Sequence, residues 1–479
     1  MLENGGNFMV PVALFGWIPI VKSLFKRFDV RLAIAIAFVG GWEFLPVAGL
    51  KIKGIPEYNK VTATCMVILF WARHFDRERL RNVSFSPIDL PILIWCIAPF
   101  FSSVFNYLGL YDGLSQTMYQ SITWGVPWYI GRVWFSDADG LKLLGTAIFI
   151  GAIIYIPFCW FELIMSPQLH RLTYGFHQHS FLQTLRDGGG FRPMAYMDHG
   201  LMTATWMGLA LFLGAWLLYT RELPEKILSL PSGLLLLALA VTFLMMKSYG
   251  AIFLIFLGLL FAFLSNKMKN YWLIVVLLAA PHLYVYTRTT GIWDGTNLSS
   301  FVAEKFSPTR AQSLQFRFDN ETILIRKAME GTVFGWGGYG RSRVYDETGK
   351  DVSVTDGLWI ITLGQNGIFG LMALILAVQT PVIFYLMRSA PERWNEKNRG
   401  APTVMVVFMA TYMIDSLLNA MINPVYMVFS GGIVGMLLKG ETAFNVNAGS
   451  DLTETPRFVM PKTRFLPSPS FQGSSRFIS

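Results

Sequence analysis

Residues 335–370 read GWGGYGRSRVYDETGKDVSVTDGLWIITLGQNGIFG. A glycine-rich turn and a polar run pass through Asp356 straight into an apolar helix beginning at Leu358. An apolar run of this kind, repeated along the chain, is the mark of segments that close their own backbone hydrogen bonds inside a bilayer. Of the 479 residues 53% are hydrophobic, 15% aromatic and 14% charged, against the usual quarter charged in a soluble protein. The fold class that follows is all-α, a polytopic integral membrane protein in contact with the lipid bilayer.

Outward from Leu358, the candidate spans before the stretch are Phe8–Leu24, Arg31–Leu50, Asn59–Phe75, Asp89–Asn106, Ser115–Phe135 and Leu141–Leu163. Beyond a polar segment come Tyr196–Thr220, Leu230–Met246, Tyr249–Leu264 and Tyr271–Thr287, and at the end Leu358–Met387, Thr403–Ala420 and Val425–Leu438. The first is short and carries Pro11 and Pro19, so twelve or thirteen crossings are expected. Residues 1–287 are then helices with one loop at 164–195, 288–357 a large loop, 358–438 the last helices, and 439–479 a disordered cytoplasmic tail rich in Pro, Ser and Thr.

The formal charge of +9 could point to nucleic acid, but Lys and Arg gather in short linkers between apolar runs, so no nucleic-acid partner is expected. Such linkers mark the cytoplasmic side. They lie around Lys22–Arg31, Arg73–Arg81, Lys267–Lys269 and Arg388–Arg399. Counting crossings puts 164–195 and 288–357 on the other side, and the second holds nine basic and nine acidic residues, the neutrality of an exported loop. Cys65, Cys96 and Cys159 lie in apolar runs without paired spacing and read as core residues.

Within the large loop, Ser307-Pro308 predicts a helix reaching Glu330 and ended by Gly331. Leu314, Phe318, Ile325 and Met329 would share its apolar face, with Arg317, Glu321 and Lys327 elsewhere. Gly335, Gly337 and Gly340 spell GxGxxG, but no strand precedes them, so a tight turn is the better reading than a dinucleotide site. In the first loop His170, His177, His179, Arg186, Arg192, Asp198 and His199 form the densest polar cluster, with four of the six histidines. Their spacing matches no zinc motif, and no metal site or cofactor is expected. Asp198 and His199 begin an apolar helix, where an ionisable group is a functional candidate. Arg192 and Arg317 would flank an anion such as a diphosphate; the alternative is that Arg317 pairs with Glu321 and Arg192 with Asp187 or Asp198. Lys247, in a turn on the same side, is a weaker third cation.

These residues resemble a family. RFDNETILIRKAMEGTVFGWGGYG, then Asp356-Gly357 and Gly367-Ile-Phe-Gly370, with FRPMAYMDHG upstream, is similar to the O-antigen ligase and polymerase superfamily of bacterial polysaccharide assembly over roughly Leu141–Leu438. The resemblance implies a metal-independent glycosyltransferase of the inner membrane, with its active site on the periplasmic side. Its donor would be a glycan on undecaprenyl diphosphate, its acceptor a glycan or lipid, and its partners other polysaccharide-assembly membrane proteins. It implies that Arg192 and Arg317 bind the diphosphate and that Asp356 stands where ligases place a catalytic histidine, which looks more like the polymerase branch. Asp356 is then the expected base, with His199 its rival; Gly335, Gly337, Gly340, Gly367 and Gly370 shape the loop. A transporter or flippase is the other class to weigh.

The topology is tested by single cysteines in a background without Cys65, Cys96 and Cys159. An impermeant thiol reagent applied to intact spheroplasts is expected to label position 312 and to leave position 395 unlabelled; the opposite pattern reverses the assignment of sides.

Overall fold

The computed structural model describes residues 6–51, 56–186 and 189–444. Every expected span is helical over most of its length. In chain order the helices are α1 Met9–Arg27, α2 Val30–Phe44, α3 Lys60–Phe75, α4 Leu90–Phe105, α5 Leu110–Gln120 and α6 Val126–Trp134, with a π-helical turn, Ser121–Gly125, joining the last two. Then come α7 Ala138–Met165, α8 Gly200–Tyr219, α9 Ser232–Met245, α10 Tyr249–Met268 and α11 Trp272–Thr289. The large loop carries α12 Thr296–Lys305 and α13 Pro308–Glu330, and α14 Leu358–Arg388, α15 Gly400–Leu418 and α16 Pro424–Lys439 close the bundle. Among the described residues eight helices (α1, α7, α8, α10, α11, α14, α15, and α4 with the turn before it) are long and apolar enough to cross a membrane. The protein is an all-α polytopic membrane protein. Of the other expected spans, α2 and α9 fall short of the expected bounds, where the short strands Gly49–Leu50 and Leu230–Pro231 lie, and α16 covers its expected span in full.

The helices alternate in direction, so the connections sort to two ends. At one end the four basic linkers meet. Arg31 pairs with Asp137, Trp134 donates to Asp76 at 3.0 Å, Lys439 Nζ reaches Ser136, and Asn266 donates to the Pro391 carbonyl at 2.8 Å. At the other end lie both polar segments, the first tied to the start of α3 by Lys60 Nζ, which donates to the Tyr196 carbonyl at 2.8 Å, and the second to the end of α15 by Arg317, which donates to the Leu418 carbonyl at 2.9 Å. Helices α6 and α16 approach closely because both carry small residues: a Cβ on Gly131 would stand 1.8 Å from the Val428 carbonyl oxygen, and one on Gly431 1.9 Å from that of Trp128.

Helix α14 is broken at Gly367 (φ 64°, ψ −165°), and the glycine-rich turn fills the break. The N–H groups of Trp336 and Gly337 donate to the carbonyls of Gly364 and Gln365, both at 2.9 Å. In return Ile368 and Phe369 donate to the carbonyls of Thr332 and Val333 at 2.8 and 3.1 Å. A chain interrupted at membrane depth must satisfy its freed backbone groups from protein, and residues 332–337 do so. Ser102 and Asn106 of α4 complete the joint, donating to the carbonyls of Gln365 and Gly335, both at 2.7 Å. Gly335, Gly337 and Gly340 all hold positive φ, and a Cβ on Gly335 or Gly367 would collide with the opposite backbone at 2.5 and 2.3 Å. A Cβ on Gly370 would collide with Asn366.

The helix Pro308–Glu330 has the expected bounds, but its faces differ from the expected ones. Met329 is 43% exposed and Glu321 is buried, because Glu321 answers a buried arginine from a different helix. Residues 440–444 form a short turn with Ala443 and Phe444 buried, so the expected tail boundary at 439 falls too early; 445–479 lie outside the described residues.

Gly367→Ala is expected to lower the thermal midpoint of the detergent-solubilised protein well below that of Gly349→Ala. Both positions have positive φ, but Gly349 faces open space, whereas Gly367, at φ 64° and ψ −165°, lies in a region almost reserved for glycine and its Cβ would meet the Val333 carbonyl at 2.3 Å.

Candidate functional site

Arg317 lies on α13 about two and a half turns from its start and reaches the junction between α14 and α15. There Leu358 donates its N–H to the Asn419 carbonyl at 3.1 Å, and a Cβ on Gly357 would stand 2.2 Å from the Leu417 carbonyl oxygen, so the two helix ends touch. Arg317 Nη1 donates to the Leu418 carbonyl at 2.9 Å and to Asn419 Oδ1 at 3.3 Å, a cation on the negative end of α15. Its Nε stands 3.5 Å from Asp356 Oδ2, both side chains about one-third exposed. Asp415 orients the amide of Asn419, whose Nδ2 donates to Asp415 Oδ1 at 2.8 Å and so turns Oδ1 toward the guanidinium.

The alternative pairing of Arg317 with Glu321 does not form. Glu321 accepts from Tyr284 Oη at 2.7 Å, Arg288 Nε at 3.1 Å and Trp359 Nε1 at 3.2 Å, while Arg288 Nη2 donates to the Phe318 carbonyl at 2.7 Å. This buried knot bolts α13 to α11 and α14 one turn beyond Arg317. It leaves Arg317 facing the loop junction.

Arg192 arrives from the first loop, where its N–H donates to the Thr184 carbonyl at 2.7 Å and its side chain lies across Gly200. A Cβ on Gly200 would stand 2.3 Å from Arg192 Cδ, so a larger residue at the start of α8 would push the Arg192 side chain aside. Burial, then the guanidiniums of Arg186, Arg317 and Arg310, push the Arg192 pKa down to about 9. Its Nε is buried and without a hydrogen-bond partner. The structure therefore brings Arg192 and Arg317 into one field, joined by Arg186 and by Arg310, which stacks 3.8 Å over the Tyr249 ring. Arg310 was not among the expected site residues; its signal was the seven-residue spacing from Arg317, two turns along one helix face.

The helix expected from Tyr196 begins only at Gly200, because His199 caps it and leaves Asp198 and His199 in the loop. His199 Nδ1 accepts the Leu201 N–H at 3.0 Å, so the neutral ring carries its proton on Nε2, 3.2 Å from Gln183 Oε1. Both nitrogens are engaged. Burial first, then His179 and the arginines, push its pKa down to about 3. Lys247 Nζ donates to the Gly189 carbonyl at 2.8 Å and straps the loop to the α9–α10 turn. Asp187 lies outside the described residues, and Asp198 faces Lys60 rather than Arg192. Among the described residues no group of three or more His, Cys, Asp or Glu side chains is placed to hold a metal ion.

The site is thus a cluster of guanidiniums at one end of a membrane helix bundle, lined by a neutral histidine and one ion-paired aspartate. Compared with known proteins, the chain matches no protein-family model and no curated protein.

A histidine held neutral in the fold and protonated near 6.5 when unfolded costs stability as pH falls. The loss begins below about 6.5 and grows by on the order of 1 kcal/mol per pH unit toward 3. His199→Asn keeps a cap and removes the titration, so its thermal midpoint should fall less steeply between pH 6.5 and 4.5 than the wild type's; buried His170, also pushed down, to about 4, supplies the remaining slope.

Proposed function

We infer that this chain is a membrane glycosyltransferase that polymerises or transfers glycan repeat units carried on undecaprenyl diphosphate, at the end of the bundle that faces the periplasm. The observation that carries the reading is the convergence of Arg192 and Arg317 from two separate polar loops. Guanidiniums that repel one another in a half-buried site are stabilised by an anion between them, and a diphosphate offers the bidentate geometry they fit. Leaving of a lipid diphosphate builds negative charge, and fixed cations held away from bulk water stabilise it as it grows. Arg317 is held for this by the α15 terminus and Asn419, and Arg192 by Gly200 and by its own N–H on the Thr184 carbonyl. Asp356, paired with Arg317, marks the polymerase-like side of the resemblance; an arriving diphosphate shares or displaces that pairing.

Arg317→Lys keeps the charge but loses the fork that spans Leu418, Asn419 and Asp356. With lipid-linked glycan extracted from cells lacking the protein as substrate, kcat/KM of the reconstituted variant is expected to fall ~10- to 100-fold, the worth of one or two charge-assisted hydrogen bonds. A variant as active as wild type would remove Arg317 from the diphosphate site.

A further inference from the structure

Away from the arginine end, the membrane face of the bundle carries a groove between α8 and α10. The two helices touch midway along their length because each offers a glycine to the other. A Cβ on Gly208 would stand 2.7 Å from Ile255 Cγ1, and one on Gly258 3.1 Å from the Phe212 ring. Toward the end where the basic linkers meet, they part. Trp216 donates its Nε1 to the Trp394 carbonyl at 3.3 Å and is buried by that turn inward, which leaves the small Ala215 to line the gap. Tyr219 and Phe263 meet edge-on below it, ring centroids 6.3 Å apart. The result is an apolar cavity of about 400 Å³, with Ala215, Trp216 and Tyr219 on one wall and Phe256, Leu260 and Phe263 on the other. Tyr219, Phe256 and Leu260 are each about half exposed, so the cavity opens sideways, to lipid.

The groove has a charged mouth. Lys267 lies one turn beyond Phe263, and its Nζ folds back to 5.8 Å from the Phe263 ring. It pairs with no carboxylate among the described residues, and the next basic residue, Lys269, follows it directly into the linker. On the α8 side the chain runs from Tyr219 to Arg221, and the acid beside that arginine is already taken: Glu222 accepts the N–H groups of Asn398 and Gly400 at 3.1 and 3.0 Å. From Phe256 to Phe263 the groove runs ~10 Å along the helix axis, within the ~15 Å depth of one leaflet of a ~30 Å hydrocarbon core. A chain lying in it would therefore end in a headgroup at the level of Lys267.

We propose that this groove is a site for an anionic phospholipid of the leaflet at the basic-linker end, with one acyl chain in the cavity and the phosphate at Lys267. The negative end of α10 by itself favours a cation there. The cavity is the second, independent feature, and it requires a ligand that is apolar over the depth of the groove and anionic at its mouth. Inorganic phosphate would leave the apolar walls unused, and a zwitterionic lipid would bring its own cation to the lysine. The site lies at the opposite end of the bundle from Arg192 and Arg317, and it does not depend on what those arginines bind.

Photolabelling in nanodiscs tests it. The discs are phosphatidylcholine with a minor fraction of phosphatidylglycerol, and in two parallel preparations one or the other lipid carries a diazirine in an acyl chain. Mapped by peptide mass spectrometry, phosphatidylglycerol is expected to label 215–219 and 256–263 ~5-fold more than phosphatidylcholine does, the worth of one basic residue at a membrane surface. The exposed face of α9 at 234–241 should be labelled equally by both. Lys267→Gln should erase the preference without lowering the phosphatidylcholine signal, and Lys267→Arg should keep it. Ala215→Phe, which fills the cavity, should lower the groove labelling from both lipids; should that variant fail to insert, Leu260→Trp fills it from an exposed position. The assignment is overturned if both lipids label the groove alike, if Lys267→Gln leaves the preference intact, or if phosphatidylglycerol labels the groove no more densely than 234–241.

Discussion

Four backbone hydrogen bonds between residues 332–337 and the broken turn of α14 fix where the rest of this structure can go. A membrane helix interrupted at Gly367 leaves donors and acceptors that lipid cannot satisfy, each worth several kcal/mol if left unpaired. Once the turn is spliced in, α13 is anchored at its C-terminal end through Gly331, and the Glu321–Arg288 knot anchors it again in the middle. With both fixed, Arg317 has one place to point. The same splice returns the chain to the start of α14, where Asp356 arrives beside that arginine. A backbone requirement of the bilayer thus ends by setting the position of a charged side chain.

The electrostatic cost of the site follows from the same anchoring. Arg192 is held against Gly200 beside three other guanidiniums, with a buried Nε that nothing bonds. Burial and the neighbouring guanidiniums disfavour the charged form of Arg192 in the fold. An anion that binds the folded state alone would return that free energy as stability, by mass action. The neutral state of His199 belongs to the same balance: a fifth cation there would face Arg192 and Arg317 directly, and its use as a helix cap keeps the ring from accepting a proton on Nδ1.

Much of this was legible in the residues because the governing signals are local. Long apolar runs located the helices; Ser307-Pro308 and Gly331 set the bounds of α13; charge counting sorted the loops to one end. What stayed illegible depends on partners distant in sequence. Spacing allowed Arg317 to pair with Glu321 on the next turn, and only the fold shows Glu321 given to Arg288, thirty-three positions away on α11. The break at Gly367 was readable as a glycine but not as a break, because the residues that mend it lie in another segment. Lys60 gave no sign at all: a lysine at the start of an apolar run reads as a snorkelling cation until Tyr196, Trp42 and Asp198 close over it.

The broken helix also bears on the choice between an enzyme and a transporter. Transporters interrupt helices near the bilayer midplane so that freed helix ends and carbonyls can hold a substrate or ion in a cavity that opens alternately to each side. In α14 the freed groups are not available for that, since the carbonyls of Gly364 and Gln365 and the N–H groups of Ile368 and Phe369 are all taken by residues 332–337, with Ser102 bonded to Gln365 as well. Rocking of one half-helix against the other would have to break those bonds at membrane depth. The mutually repelling guanidiniums of Arg192, Arg317, Arg186 and Arg310 lie instead at one end of the bundle, and the splice and the Glu321 knot hold the helix that carries Arg310 and Arg317. A fixed, charged site at one end of the bundle supports the enzyme reading proposed above, since alternating access needs elements that are free to move against each other.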